Sequence, residues 1–362
     1  MRLLLITGSY PPLKCGVGDY SYNLVKSLAA NLEIQVGVLT TVSASQANQP
    51  AGVKVFPVMK TWGLSEAHKI KEVIKSWSPD IVHIQYPTQG YGGGLLPWFL
   101  PMICFLMKKK IVQTWHEGYG KASAPWLFLK SIVPSNLIFV RPEFKKELDP
   151  WLRWALWGKK TSYIQNASGI PKAELSQQEK EKLKREYLKK QKRLIVFFGF
   201  VYPHKGVDLL FKIADPNLDQ VIIAGEITEK GDCRSKIMGY ADTEPWKGKV
   251  TTTGFLSAYD VAALLAVADA VVLPFRSGSG RWSTSIHAAV LNCALVITTS
   301  NEQNGYDEKQ NVYFAKIDDI DEMKSALAVY AGRRRKQDPD LDRDEWSKIA
   351  WEHSSLYSKL LI

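Results

Sequence analysis

Short apolar runs separated by helix-length stretches recur from one end of this chain to the other. RLLLITGS, EIQVGVLT, DIVHIQYP, KIVQTWHE and NLIFVRP read as strands, with helices expected near 18–31, 65–77 and 95–107. Runs that are apolar at consecutive positions, and not merely at alternate ones, suit parallel strands covered on both faces. The order restarts after ELSQQEKEKLKREYLKKQKR, a solvated helix. RLIVFFGF, QVIIAGEI, KVTTTGFL, AVVLPF, ALVITTS and NVYFAKI follow as strands, with helices near 206–214, 258–267, 284–292 and 319–331. Two α/β domains are expected, with the boundary near residue 168, where SYIQNASGIPK interrupts the pattern with Asn, Gly and Pro. The expected divisions are 1–168, 169–340 and a last helix over 341–362, whose apolar positions recur at helical spacing and must pack on something.

Composition agrees with this picture and narrows it. A chain of 362 residues with 46% hydrophobic content fills two cores. The four cysteines show neither metal-ligand spacing nor a disulfide framework, which fits a reducing cytoplasm and predicts no metal site. MRLLLITGSYPP reads as a first strand and not a signal peptide, and LLPWFLPMICFLM is shorter than the roughly 20 residues of a membrane span. The net charge of +11 is concentrated in one half: residues 1–165 hold 19 Lys and Arg against 9 Asp and Glu. With Lys108, Lys109 and Lys110 directly after the apolar run, and several tryptophans in the same half, that surface suits anionic headgroups on the cytoplasmic membrane face; solubilising charge and core tryptophans are the alternative. No recognition motif points to nucleic acid.

Candidate chemistry sits in the loops after strands, where parallel sheets bind ligands. LPFRSGSGRWSTSIHAAV breaks a strand into Gly and Ser before a small-residue helix, placing Arg276, Arg281, Ser283 and Thr284 where an anion would meet charge, hydroxyls and helix N–H groups. VFFGFVYPHKGVDLLFKI puts Lys205 before a helix start, within reach of a diphosphate. GSYPPLKCGVGDYSYNLV sets Gly16 and Gly18 before a helix expected to begin at Asp19. Its spacing lacks the full dinucleotide fingerprint, which disfavours a nicotinamide cofactor. In VQTWHEGYGK, His116 and Glu117 end a strand, where a histidine could hydrogen-bond a reacting group and Glu117 orient it. His83 inside DIVHIQYP reads as a satisfied core histidine.

Taken together, PPLKCGVGDYSYNLVKSL, TWHE, GFVYPHKGVDLL, VTTTGFLSAYDVAALLAVADAVVLPF and the closing WSKIAWEHSSLYSKL resemble, in order and spacing, the GT-B glycosyltransferases of the retaining family four kind (glycosyl transferases group 1). The resemblance implies two Rossmann-like βαβ domains facing a central cleft, with the C-terminal helix crossing back to the first. It implies a retaining, metal-independent transfer from a nucleoside diphosphate-sugar, itself a substrate and not a cofactor, to a saccharide or lipid-linked acceptor in cell-surface or exported polysaccharide synthesis. By position, Lys205 binds the diphosphate, Gly16 and Gly18 approach the phosphates, His116 sits near the transferred sugar, Leu256 lies near the base, and Asp19 and Tyr20 face the acceptor.

Two departures keep a second reading open. Phe200 stands where the family has an arginine, a loss that Arg276 or Arg281 could make good. Ser279 and His287 fall where the family has paired glutamates, and a neutral histidine offers a ribose only one acceptor and one donor. A non-catalytic GT-B protein that binds glycan or nucleotide is therefore the alternative.

Overall fold

The computed structural model describes residues 1–46, 48–116, 129–142, 144, 148–156, 158–227, 233–280, 283–338, 340 and 345–362. The chain divides into two compact units, Met1–Ala167 together with Asp344–Ile362, and Ser168–Arg343.

The first unit contains β1 (Arg2–Ile6), α1 (Gly16–Ala29), β2 (Gln35–Thr41), β3 (Val53–Met59), α2 (Ala67–Trp77), β4 (Ile81–Tyr86), α3 (Leu96–Leu106), β5 (Lys110–Trp115), β6 (Asn136–Phe139), α4 (Pro150–Ala155) and β7 (Thr161–Tyr163). Its parallel strands lie in the order β3-β2-β1-β4-β5-β6-β7. Side chains alternate between faces along a strand, so the apolar runs split into two cores. Leu4, Ile6, Val82 and Ile84 pack with Ile70, Ile74 and Leu100 of α2 and α3. Leu3, Leu5, Ile81 and Val112 pack on the other side with Leu24 and Leu28 of α1.

The second unit runs α5 (Gln177–Leu188), β8 (Arg193–Phe198), α6 (Leu210–Ile213), β9 (Asp219–Ala224), α7 (Cys233–Asp242), β10 (Val250–Gly254), α8 (Ala258–Val267), β11 (Ala270–Leu273), α9 (Thr284–Leu291), β12 (Val296–Thr299), β13 (Gly305–Asp307), β14 (Val312–Ala315) and α10 (Ile320–Tyr330). The sheet order is β10-β9-β8-β11-β12-β14-β13, with only β13 antiparallel among the described strands. A last helix, α11 (Glu345–Leu361), belongs to the first unit; it buries Ile349, His353 and Tyr357, four residues apart on one stripe, in the core beside α1.

Three strands stand outside the sequence expectation. VKVFPVM forms β3 although Pro57 interrupts it, because an edge strand leaves one row of backbone groups unpaired and tolerates the missing N–H. The other two, β7 and β13, span three residues each. The α1 helix begins at Gly16, three residues before the expected Asp19 start. Among the described residues no helix is long and apolar enough to cross a membrane.

Both sheets reverse their strand order once near the middle, between β1 and β4 and between β8 and β11. A crevice opens at such a point, beyond the carboxyl ends of the two strands.

Candidate functional site

In the second unit the loops after β8 and β11 are joined to one another. The backbone N–H of Arg276 donates to the carbonyl of His204 at 2.9 Å, and Lys205 closes the short turn Pro203–Lys205 beside it. Lys205 Nζ lies 4.1 Å from the centre of the Phe275 ring, a cation held over an aromatic face. Gly199 comes within 3.1 Å of the Ser285 hydroxyl, measured from the Cβ it lacks. Ser283 occupies the N-cap of α9 without a side-chain cap bond, and the first turn carries no acidic residue. The N–H groups at the start of a helix need partners from outside it, so this end of α9 offers donors next to the end of β8, where the sheet reverses.

Arg276 is exposed but engaged, its guanidinium donating to Asp208 at 2.6 Å. Ser279 is closed off: buried, its hydroxyl is 2.8 Å from the Thr299 carbonyl and 3.0 Å from the Thr298 hydroxyl. His287 is half-buried in the second turn of α9. Leu256 follows β10 at the sheet edge and is partly buried against the core. Arg281 and Glu117 lie outside the described residues.

The first unit holds the remaining candidates. The loops after β1 and β4 meet so closely that a Cβ on Gly90 would fall 1.9 Å from the Gly8 carbonyl oxygen. Gly16 is exposed with open space around it, whereas Gly18 is buried with its absent Cβ 3.3 Å from Ser9. Gly18 therefore serves the packing of α1 on the preceding loop, where a phosphate approach was expected. Asp19, in the first turn of α1, has its carboxyl pushed up to about 6 by burial. Tyr20, expected to face the acceptor, lies inside the first unit. It is only 3% exposed, with its hydroxyl 3.3 Å from His353 Nε2 and its ring edge-on to His116 at 4.6 Å. It supports His116 and does not line an open surface. Its spacing sets it inward, four and eight residues before Leu24 and Leu28 on one stripe of α1.

His116 ends β5, its backbone N–H donating to the Tyr86 carbonyl at 2.7 Å. Burial, aided by the neighbouring His353, pulls its imidazole down to about 3, so it is neutral at physiological pH. His83 is buried as expected, with both ring nitrogens hydrogen-bonded. Gln85, Thr114, His353 and Tyr357 join it around His116, and sequence reasoning passed over all four. The signal for one of them was present: Gln85 is polar and two residues from His83 in an otherwise apolar strand, which puts both on one face. Among the described residues no group of three or more His, Cys, Asp or Glu could hold a metal ion.

The family model that matches is that of the glycosyl transferases group 1, over residues 192–331. No curated protein matches this sequence significantly. Solved structures align along nearly the whole chain. Sucrose-phosphate synthase from Thermosynechococcus elongatus has a TM-score of 0.73 at 14% identity, covering 100% of this chain and 99% of that one. Anabaena HepE in complex with UDP and glucose gives 0.71 at 14%, covering 99% and 100%. The catalytic domain of starch synthase IV from Arabidopsis thaliana, bound to ADP and acarbose, gives 0.65 at 12%, covering 99% and 98%. Identities this low establish the shared fold, while the family match rests on the second unit. The chain has the GT-B fold, and within it residues 192–331 match the glycosyl transferases group 1.

Proposed function

We propose that this chain is a retaining, metal-independent glycosyltransferase that moves a sugar from a nucleoside diphosphate to a saccharide or lipid-linked acceptor in cell-surface polysaccharide assembly. One observation carries the reading: at the strand reversal of the second unit, the Arg276–His204 backbone bond ties the Lys205 turn to the loop after β11, the loop that leads into the start of α9. A departing diphosphate gains negative charge in the transition state, where fixed donors act most strongly. Lys205 and the α9 N–H groups supply that stabilisation, and the neutral His116 hydrogen-bonds the transferred sugar. Because HepE is described with UDP and UDP-glucose, uridine is the first base to try.

The test is calorimetry and turnover with UDP, GDP and ADP sugars, with and without EDTA. Binding and transfer that survive EDTA, together with a fall of about 100-fold in kcat/KM for Lys205→Ala, are expected. Turnover abolished by EDTA would remove the metal-independent part. The inward Ser279 and the engaged Arg276 favour the binder alternative, which wins if a nucleotide binds and no donor is turned over.

Membrane contact belongs to the same reading. At the end of α3, Phe105 and Leu106 are 45% and 72% exposed, directly before Lys108. Apolar side chains next to cations suit the boundary of an anionic bilayer.

A further inference from the structure

Alternation along β4 sends Ile81, His83 and Gln85 to the face covered by α1 and α11, and the register sets Gln85 beside Thr114 of β5. Ile81 is ordinary core. His83, Gln85 and Thr114 are polar and wholly buried, and polar groups so placed need partners. They find them in one continuous line. His116 Nε2 lies 2.8 Å from Gln85 Oε1, Gln85 Nε2 lies 3.1 Å from His83 Nε2, and His83 Nδ1 lies 2.7 Å from the Tyr357 hydroxyl on α11. The Thr114 hydroxyl stands 2.7 Å from His83 Nε2.

An amide oxygen accepts only, and an amide NH2 donates only. With the Gln85 amide oriented as it is, Oε1 requires a proton on His116 Nε2, and Nε2 of Gln85 requires a bare Nε2 on His83. His83 then donates from Nδ1 to Tyr357 and accepts from Thr114. The consequence appears at the far end of the line, where His116 keeps its lone pair on Nδ1, an atom with no hydrogen-bond partner among the described residues.

We propose that Gln85 is a positioning residue for His116: backed by His83 and Tyr357, it fixes the neutral Nε2–H tautomer and leaves an Nδ1 acceptor for the ligand. This rests on the glycosyltransferase reading and deepens it. The group that meets His116 must donate a hydrogen, so it is a sugar hydroxyl, and neither a carboxylate nor a phosphate oxygen. Among the described residues nothing titratable around the imidazole opposes this state. From α1 comes Tyr20, whose phenol burial pushes up; from α11 come His353, which burial pulls down to about 4, and Tyr357, which burial pushes up. From β4 comes His83, held neutral by burial.

Ring-15N histidine labelling of the full chain reads the tautomer directly from long-range proton–nitrogen correlations. There are six histidines, and His116 is assigned by the peaks lost in His116→Asn. An Nε2–H pattern unchanged from pH 5.5 to 8.5 is expected. An Nδ1–H pattern, or protonation within that range, overturns the proposal. In Gln85→Met, which keeps the volume and removes both bonds, the proposal requires Nδ1–H signal to appear for His116. It also requires kcat to fall about tenfold with donor KM within twofold. An unchanged tautomer in a Gln85→Met protein that unfolds at the wild-type urea midpoint also overturns it. Tyr357→Phe, which cuts only the far end of the line, keeps the Nε2–H pattern and loses less activity; a larger loss than in Gln85→Met is a third contrary result. Because the spectroscopic arm needs no turnover, a protein that transfers no sugar sinks the function proposed above while this assignment is still decided.

Discussion

At Gly206 the backbone sits at φ +65°, and a Cβ there would fall 2.1 Å from the carbonyl oxygen of Pro274. The left-handed conformation costs other residues about 1 kcal/mol, and the contact with a main-chain oxygen adds to it. Gly206→Ala should therefore lose about 2 to 4 kcal/mol in urea unfolding and push the Lys205 turn away from the β11 loop. Nucleotide affinity should fall with it, read by calorimetry with UDP. Unchanged stability and affinity together would refute the coupling of the two loops. The turn at Lys205 and Gly206 was legible in GFVYPHKG because a glycine directly before a helix marks a change of chain direction. Tyr20 is the converse case: its place depends on which side of α1 it occupies, and the spacing of Tyr20, Leu24 and Leu28 puts it on the buried stripe. Gln85 was missed because a buried amide has no motif; its meaning lies in the partners that the register and α11 supply.

Among the elements, α3 joins an apolar body to a charged end. Leu96, Leu100 and Cys104 are buried against the sheet while Phe105 and Leu106 stay exposed, and Lys110 already donates to the Leu360 carbonyl of α11. Lys108 and Lys109 are thus the residues to test. Co-sedimentation with anionic vesicles should fall severalfold in Leu106→Asp and in the double variant Lys108→Ala, Lys109→Ala, and should weaken at high salt. Binding indifferent to both variants would place any membrane surface elsewhere. What distinguishes α3 from a spanning segment was readable in its length alone. Legibility of the strands followed burial: β1, β4, β8 and β11 are covered on both faces and stand out as continuous apolar runs. The edge strands did not stand out. In β3 the positions from Val53 to Val58 are half-buried or exposed and include Lys54 and Pro57, so its pattern carries little signal. Pairing with β2 makes it a strand, and pairing is not written locally.

Across the molecule, the three buried histidines belong to the first unit and titrate together. Burial lowers His116 to about 3 and His353 to about 4, and holds His83 well below its ordinary value, while the unfolded chain takes up protons near pH 6.5. A group depressed on folding contributes stability that is present above its unfolded pKa and lost as pH falls toward its folded one. Between about pH 6.5 and 4 the unfolded state therefore binds protons that the folded state refuses; His116 and His353 together give a slope approaching ~3 kcal/mol per pH unit and cost about 2 kcal/mol each at pH 5, and His83 acts in the same direction. Asp19 works the other way. Its carboxyl, raised to about 6, makes the fold less stable as pH rises through that value, and so offsets part of the loss on acidification. The histidines outnumber it, so stability should be highest above pH 7 and fall by several kcal/mol by pH 5. Since the second unit contributes none of the three, acid should separate the transitions. Hydrogen exchange at pH 5 should show residues 1–167 and 345–362 opening before 168–338, with two steps in urea where neutral pH gives fewer. His353→Gln removes one titrating group and should flatten the pH dependence by about 1.4 kcal/mol per pH unit. An acid slope unaltered by that substitution, or a second unit that opens first, would mean that the buried imidazoles do not govern how this protein responds to protons.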